Sequence, residues 1–280
     1  MGVVVVTDAS SRIPRPLLRQ WGIREIPLHV LLDGRDLLDG VDEVPSDIHT
    51  RQATTAAASP AEIHQAYQRA LADSEGGGVV AVHLSSALSG TCAVAERVGE
   101  GFGPAVQVVD SRSAAMGTGF VAIAAAQAAA RGADLESVAG EARSSAARVR
   151  AFIVVHRLDN LRRSGRISGA KAWLGTALAL KPVLSIDDGE LVLAQRVRTI
   201  SAATAAMLDR VCDTVAGHGG RANLAVHHVA NPDGAAEVAA TLALRLPECA
   251  PATVTELGPV LALHVGGGAV AVCLESLKSP

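Results

Sequence analysis

Hydroxyl and carboxyl side chains gather in this chain wherever a short apolar run stops. "VVVV" (Val3 to Val6) is followed by Thr7, Asp8 and Ser10, "VVAVHL" (Val79 to Leu84) by Ser85, Ser86 and Ser89, and "VQVVD" closes on Asp110 with Ser111 and Ser113 behind it. Far downstream, His264 ends another apolar run just ahead of Gly266, Gly267 and Gly268. Serine with histidine raises nucleophilic acyl transfer, with Ser85, Ser86 or Ser89 attacking and His264 as base. The local sequence argues against a Ser/His-dependent acyl or phosphate ester hydrolase. "HLSSALSG" lacks the leading glycine of a G-x-S-x-G elbow, and spacing designates no orienting carboxylate.

A histidine closing an apolar strand is ordinarily a satisfied core group. Three small residues behind it favour a functional reading of His264, because glycines let backbone amides approach a ligand and leave the imidazole uncrowded. His227 and His228 are adjacent within an apparent strand, point to opposite faces and cannot share a metal, so no metal site is expected. Gly117, Gly119 and Ala122 in "MGTGFVA" match G-x-G-x-x-A, but the preceding strand ends six residues before the glycines. A dinucleotide fingerprint needs its turn at once, so these small residues are read as close helix packing and no nucleotide cofactor is expected. Between Arg157 and Arg198, eight basic side chains (Arg157, Arg162, Arg163, Arg166, Lys171, Lys181, Arg196, Arg198) face four acids. That stretch suits either a solvated face or a surface for an anion or partner, with "SGRIS" carrying Arg166 out of a glycine turn.

The elements that must position these groups follow from periodicity. Continuous apolar runs at 3–6, 79–84 and 106–110 are the pattern of parallel strands covered on both faces. Between them, Ser59, Pro60 and Glu62 announce a helix with an N-cap, Pro at the first turn and a reciprocal Glu. Alternating strands and helices predict an N-terminal α/β domain with a parallel sheet over residues 1–150, whose strand carboxyl ends are the expected ligand side. Beyond it the texture changes. "KPVLSIDDGELVLAQRVRT" joins two apolar runs through Asp-Asp-Gly, a hairpin signal, and "NLAVHHVA" and "AVAVCLES" read as later strands. Residues 151–280 are therefore expected to form an α+β domain with mixed or antiparallel sheet.

Composition narrows the function classes. Of 280 residues 49% are hydrophobic and only 2% aromatic, so the core must be built from Ala, Val and Leu. A net charge of -3 gives no electrostatic reason to seek nucleic acid or an anionic membrane. Cys92, Cys212, Cys249 and Cys273 share no C-x-x-C spacing and read as reduced thiols. "MGVVVVTDASS" lacks the basic region of a secretory leader, and no apolar stretch is long enough to span a bilayer. A cytoplasmic protein without stable membrane insertion is expected.

Taken in order, "VVVVTDASSRIP", "ATTAAASPAEI", "HLSSALSGTCAVAE", "VVDSRSAAMGTG", "LDNLRRSGRISGAKAWLGTALALKPVLSIDDGELV", "VRT" and "LGPVLALHVGGGAVAV" resemble the blocks of the DegV family of fatty-acid-binding proteins. The resemblance runs nearly end to end. It implies a two-domain α/β protein, itself not an enzyme, that buries a long-chain fatty acid as its ligand and presents the carboxyl group to a fatty acid kinase for acyl-phosphate formation. By resemblance, the carboxylate-holding threonine falls on Thr54 or Thr55, the serine on Ser85 or Ser86, and the histidine on His264. Arg166 and Arg198 match family arginines and are expected to meet phosphate or the partner. Two blocks depart from the family: Ala-Ala-Ala-Ser follows Thr55 where Ser-Gln-Pro is frequent, and the loop after His264 is all glycine.

The physics suits the resemblance. A carboxylate buried among apolar walls must be hydrogen-bonded or it takes up a proton, and threonine, serine and an imidazole N–H supply donors without a permanent opposite charge. The tail would supply affinity: at roughly 0.8 kcal/mol per buried methylene, about fourteen methylenes gain on the order of 11 kcal/mol before ordering costs.

Overall fold

The computed structural model describes residues 2–167 and 180–277. Lys171 of the basic stretch, Ser168 of "SGRIS" and most of "GAKAWLGTALAL" lie outside the described residues. The chain divides into two compact units, one of Met1–Val44 with Ala53–Val149, the other of Pro45–Gln52 with Arg150–Pro280. The strap Pro45–Gln52 thus leaves the first unit and joins the second before the chain returns at Ala53.

The first unit is built on a four-stranded parallel sheet. Strands β1 (Val4–Asp8), β2 (Arg24–Ile26), β6 (Val79–His83) and β7 (Val106–Asp110) lie in the order β2-β1-β6-β7. Every residue of β6 is buried, as a central strand covered on both faces requires. Helices α2 (Pro60–Asp73) and α3 (Thr91–Glu100) pack on one face through Ile63, Tyr67 and Ala95 against Val6, Val79 and Ala81. Helices α4 (Met116–Ala130) and α5 (Leu135–Arg148) pack on the same strands and cover Val80 and Val82, which the pleat turns the other way. The capping box expected for α2 is formed: Ser59 Oγ accepts from Glu62 N–H at 3.3 Å and Glu62 Oε2 accepts from Ser59 N–H at 2.7 Å.

The small residues of "MGTGFVA" do serve packing. A Cβ on Gly119 would lie 2.9 Å from Ile13 and from the Ser11 carbonyl, and one on Gly117 would meet Ser113 Oγ and sit 3.1 Å from Val149. Eleven of the fifteen residues of α4 are buried, so this helix is core on nearly all sides.

A second sheet in this unit is antiparallel. Strands β3 (His29–Leu32), β4 (Arg35–Leu38) and β5 (Ala53–Ala56) pair in the order β4-β3-β5. The strands β3 and β4 turn through Asp33 and Gly34, both at positive φ, the two-residue hairpin geometry. This sheet carries Thr54 and Thr55, away from the parallel strands expected to gather the hydroxyls.

The second unit is a six-stranded mixed sheet in the order β10-β9-β8-β13-β11-β12. Its members are β8 (Val149–Val154), β9 (Lys181–Asp187), β10 (Glu190–Val197), β11 (Ala222–His228), β12 (Thr253–Glu256) and β13 (Val270–Ser276). The Asp-Asp-Gly hairpin is present, with Asp187 opposite Glu190 and a turn of Asp188 and Gly189 at positive φ. Helices α7 (Ile200–Gly217) and α8 (Pro232–Arg245) bury Met207, Val211, Val238 and Leu242 against Val183, Val226 and Val272. The short α6 (Asp159–Ser164) and α9 (Gly258–Val265) pack on each other, and the 3-10 turn of the strap, Ile48–Thr50, packs on α9. Among the described residues no helix is long and apolar enough to cross a membrane.

Candidate functional site

In the first unit the carboxyl ends of β1, β6 and β7 hold a dense buried polar network. Thr7, Asp8, Ser10, Ser11, His83, Ser85, Ser111 and Ser113 are all at most 2% exposed. Its spine is a chain of side chains. Burial holds the Tyr67 phenol well above its ordinary value, so Tyr67 remains protonated. Tyr67 Oη pairs with His83 Nε2 at 2.9 Å, and His83 Nδ1–H donates to Asp8 Oδ2 at 3.0 Å. Leu84 N–H also donates to Asp8 Oδ2 at 3.1 Å, and Ser10 donates to the other carboxylate oxygen through both N–H and Oγ. A carboxylate and an imidazole are thus paired, but the imidazole's other nitrogen meets a phenol and Ser10 lies on the carboxylate. The arrangement clamps β1, β6 and α2 together and holds no serine–imidazole couple. Asp8 and Ser10 stand out in the sequence behind an apolar run, whereas His83 inside "VVAVHL" and Tyr67 do not.

The two serines after β6 differ. Ser85 is 1% exposed, takes its place through Ser85 N–H to the Ser113 carbonyl at 2.8 Å, and its Oγ accepts from Ala87 N–H at 3.2 Å. Ser86 is exposed and gives its hydroxyl to Asp110 Oδ2 at 2.6 Å, reinforced by its N–H at 3.2 Å. A hydroxyl committed to a carboxylate is a poor donor to a second anion. Ser89 Oγ accepts from Thr91 N–H at 3.3 Å and shapes the entry to α3.

The two threonines differ as well, because opposed residues of an antiparallel pair share a face. Thr55 lies opposite Val30, itself opposite Leu37, and both of those are buried. Thr54 lies opposite Leu31 and shares its face with Asp36 and solvent. Thr55 is half-buried and Thr54 exposed.

In the second unit His264 sits on the last turn of α9, a helix rather than the strand that its apolar run suggested. Gly258 and Pro259 open this helix, and Pro in the first turn is a helix-start signal. The glycines behind it leave less open space than expected. A Cβ on Gly267 would lie 2.6 Å from His49 Cδ2, one on Gly268 2.6 Å from His156, and one on Gly266 3.2 Å from Asn160 Nδ2. The loop is pinned by Gly268 N–H to the Val229 carbonyl at 2.8 Å and by Asn231 Nδ2 to the Gly268 carbonyl at 3.0 Å. His49 and His156 were not anticipated, since each reaches the loop only through the fold.

Burial first, and then the positive charge of Arg166, push His264 down to about 4. Its imidazole is neutral at pH 7 and presents one N–H donor. His156 is likewise lowered by burial and by Lys181. Arg166 follows the left-handed Gly165 that ends α6, where Arg166 N–H bonds back to the Leu161 carbonyl at 3.2 Å. Its guanidinium is exposed, as is that of Arg198 directly ahead of α7. Among the described residues no three His, Cys, Asp or Glu side chains are grouped to hold a metal ion. His227 Nδ1 meets Thr255 Oγ1 across the strand pair at 2.9 Å, while His228 Nδ1 accepts from Asn231 N–H at 3.4 Å. The four cysteines carry no disulfide, and burial pushes the Cys92 thiol up to about 12.

Comparison with known proteins agrees across the chain. The profile of the DegV family, described as uncharacterised proteins, matches residues 2–277. A DegV domain-containing protein of Mycobacterium bovis is 66% identical over 100% of this chain and 99% of its own length. Among solved structures, a fatty-acid-binding DegV family protein of Thermus thermophilus superposes with a TM-score of 0.91 at 32% identity, covering 99% of this chain and all of its own. DegV of Bacillus subtilis, a fatty-acid-binding protein, does so at 0.88 and 26% identity, covering 99% and 100%. With matching architecture, matching motifs and full-length coverage, this chain belongs to the DegV family.

Proposed function

We propose that this protein binds a long-chain fatty acid in the cytoplasm and presents its carboxyl group to a fatty acid kinase, without catalysing phosphoryl transfer itself. The observation that carries the reading is the likeness, over 99% of the chain, to a family member that binds fatty acid. Local geometry supports a choice of ligands. Residues 1–150 contribute Thr55 and Ser85, preferred over Thr54, which faces solvent, and Ser86, whose hydroxyl is engaged by Asp110. Residues 151–280 contribute His264, held neutral so that it donates a hydrogen bond without forming a fixed ion pair. A carboxylate held by neutral donors keeps its nucleophilic oxygen available to a phosphoryl group. Arg166 and Arg198 are the exposed cations assigned to phosphate or to the kinase.

Native mass spectrometry of the purified protein, followed by denaturing extraction, tests the first step. A stoichiometric co-purified fatty acid is the expected result. A ligand-free protein that neither takes up oleate nor supports kinase-dependent acyl-phosphate formation overturns the reading.

A further inference from the structure

The loop behind His264 is seated on a residue from more than two hundred positions earlier. His49 lies on the strap, whose 3-10 turn packs on α9 with Ile48 buried. The strap is stiffened by its own bonds: Ile48 N–H to the Pro45 carbonyl at 3.0 Å, Thr50 N–H and Oγ1 to the Asp47 carbonyl, each at 2.8 Å, and Arg51 Nε to Asp47 Oδ1 at 2.9 Å. Gly267 is the telling position. Its neighbours Gly266 and Gly268 have positive φ and Gly267 does not, so its φ does not by itself call for glycine. The obstacle is the His49 ring, 2.6 and 2.7 Å from where a Cβ would stand. His49 Nδ1 is buried and finds no hydrogen-bond partner among the described residues. Such a cost is tolerated where position matters more than local stability.

We infer that His49 is a positioning residue for His264: its imidazole, seated on Gly267, fixes the loop at the end of α9 and with it the direction of the His264 ring. The inference rests on the reading of His264 as a carboxylate ligand, and it adds a reason for the course of the chain. Thr55 follows His49 by six residues, so one short segment carries the preferred threonine and steadies the histidine.

The test uses Gly267→Ala, His49→Ala and the double variant in the full-length protein. Two readouts are oleate affinity, by displacement of a fluorescent fatty acid, and the His264 side-chain resonances with their pH titration in the ligand-free protein. Gly267→Ala is expected to weaken oleate about tenfold and to move the His264 resonances, on the scale at which a misplaced group loses function. In the His49→Ala background the same alanine is expected to cost less than about twofold, because the clash is gone. Additive effects, or Gly267→Ala with wild-type affinity and unmoved His264 signals, overturn the inference. Should Gly267→Ala not fold, His49→Ala, which adds no atoms, carries the test: unchanged His264 resonances and affinity overturn it. If the wild-type protein takes up no oleate, the functional reading fails, while the His264 resonances still decide the positioning role.

Discussion

The two units bury ionisable groups in opposite ways. In the first, Glu25 on β2 sits among Arg12, Arg15, Asp8 and Asp39, and burial above all pushes its carboxyl up to about 7. In the second, burial and Arg166 push His264 down to about 4. Both groups thereby favour the neutral form, one by holding a proton and the other by refusing it. The contrast extends to their surroundings. In the first unit the chain Tyr67–His83–Asp8–Ser10 is paired link by link, while the hydroxyls of Thr7, Ser11 and Ser113 beside it find no partner among the described residues; in the second, His49 and His156 pack against glycine. A chain of paired buried side chains rigidifies the strands that carry it.

The largest expected effect breaks the paired chain of the first unit. His83→Ala strands Tyr67 Oη and removes one bond from the buried Asp8 carboxylate, and is expected to cost about 3 kcal/mol of stability, read by urea denaturation. Wild-type stability would place the network among ordinary surface contacts.

The next effect concerns pH. Stability rises with pH where the unfolded state binds more protons. His264 contributes fully above its ordinary value of 6.5 and loses that contribution as pH falls through about 4. Glu25 contributes fully below its ordinary value of 4.5 and loses it as pH rises through about 7. Each is expected to be worth roughly 2 kcal/mol, since both side chains keep some contact with water. His264→Gln should flatten the acid limb and Glu25→Gln should raise stability near neutrality. Identical pH profiles for wild type and both variants would erase the contrast.

Ligand affinity sharpens the comparison at a smaller scale. His264→Ala is expected to weaken oleate about tenfold, equal to ~1.4 kcal/mol, with its melting temperature at neutral pH nearly unchanged. Thr55→Val should lose about fivefold and Thr54→Val less than about twofold, on the scale of one hydrogen bond. Titration with a fluorescent fatty acid separates them, and equal losses would refute the face assignment of β5. The smallest effect is a gain. Ala115, with φ 52 and ψ -145 ahead of α4, occupies backbone space suited to glycine, so Ala115→Gly is expected to add about 1 kcal/mol to stability, measured by thermal unfolding.

What the sequence disclosed followed the range of its contacts. The buried strand β6, the capping box of α2 and the β9–β10 hairpin depend on neighbours within a few residues, and pattern alone located them. The β3–β4 hairpin is equally local, and "LLDGRDLL" carries its Asp-Gly turn signal. Its partner β5 returns after a long excursion, so "ATTA" showed only a short polar-looking segment. His264 stands out in the sequence by its glycines, yet "VLALHV" is too short for periodicity to separate helix from strand. Nothing near His49 betrays its contact with Gly267, and only the fold brings them together. The difference between Ser85 and Ser86 likewise required knowing where Asp110 stands.

The excursion of Pro45–Gln52 has a consequence for heredity. A gene fragment starting at Arg150 would encode nearly all of the second unit and omit the eight residues that seat its glycine loop. Recombination between relatives at that point would join a strap from one parent to a loop from the other. Crossovers there should survive only where the ring at position 49 and the absent side chain at 267 travel together, so the two halves of this protein are not interchangeable parts.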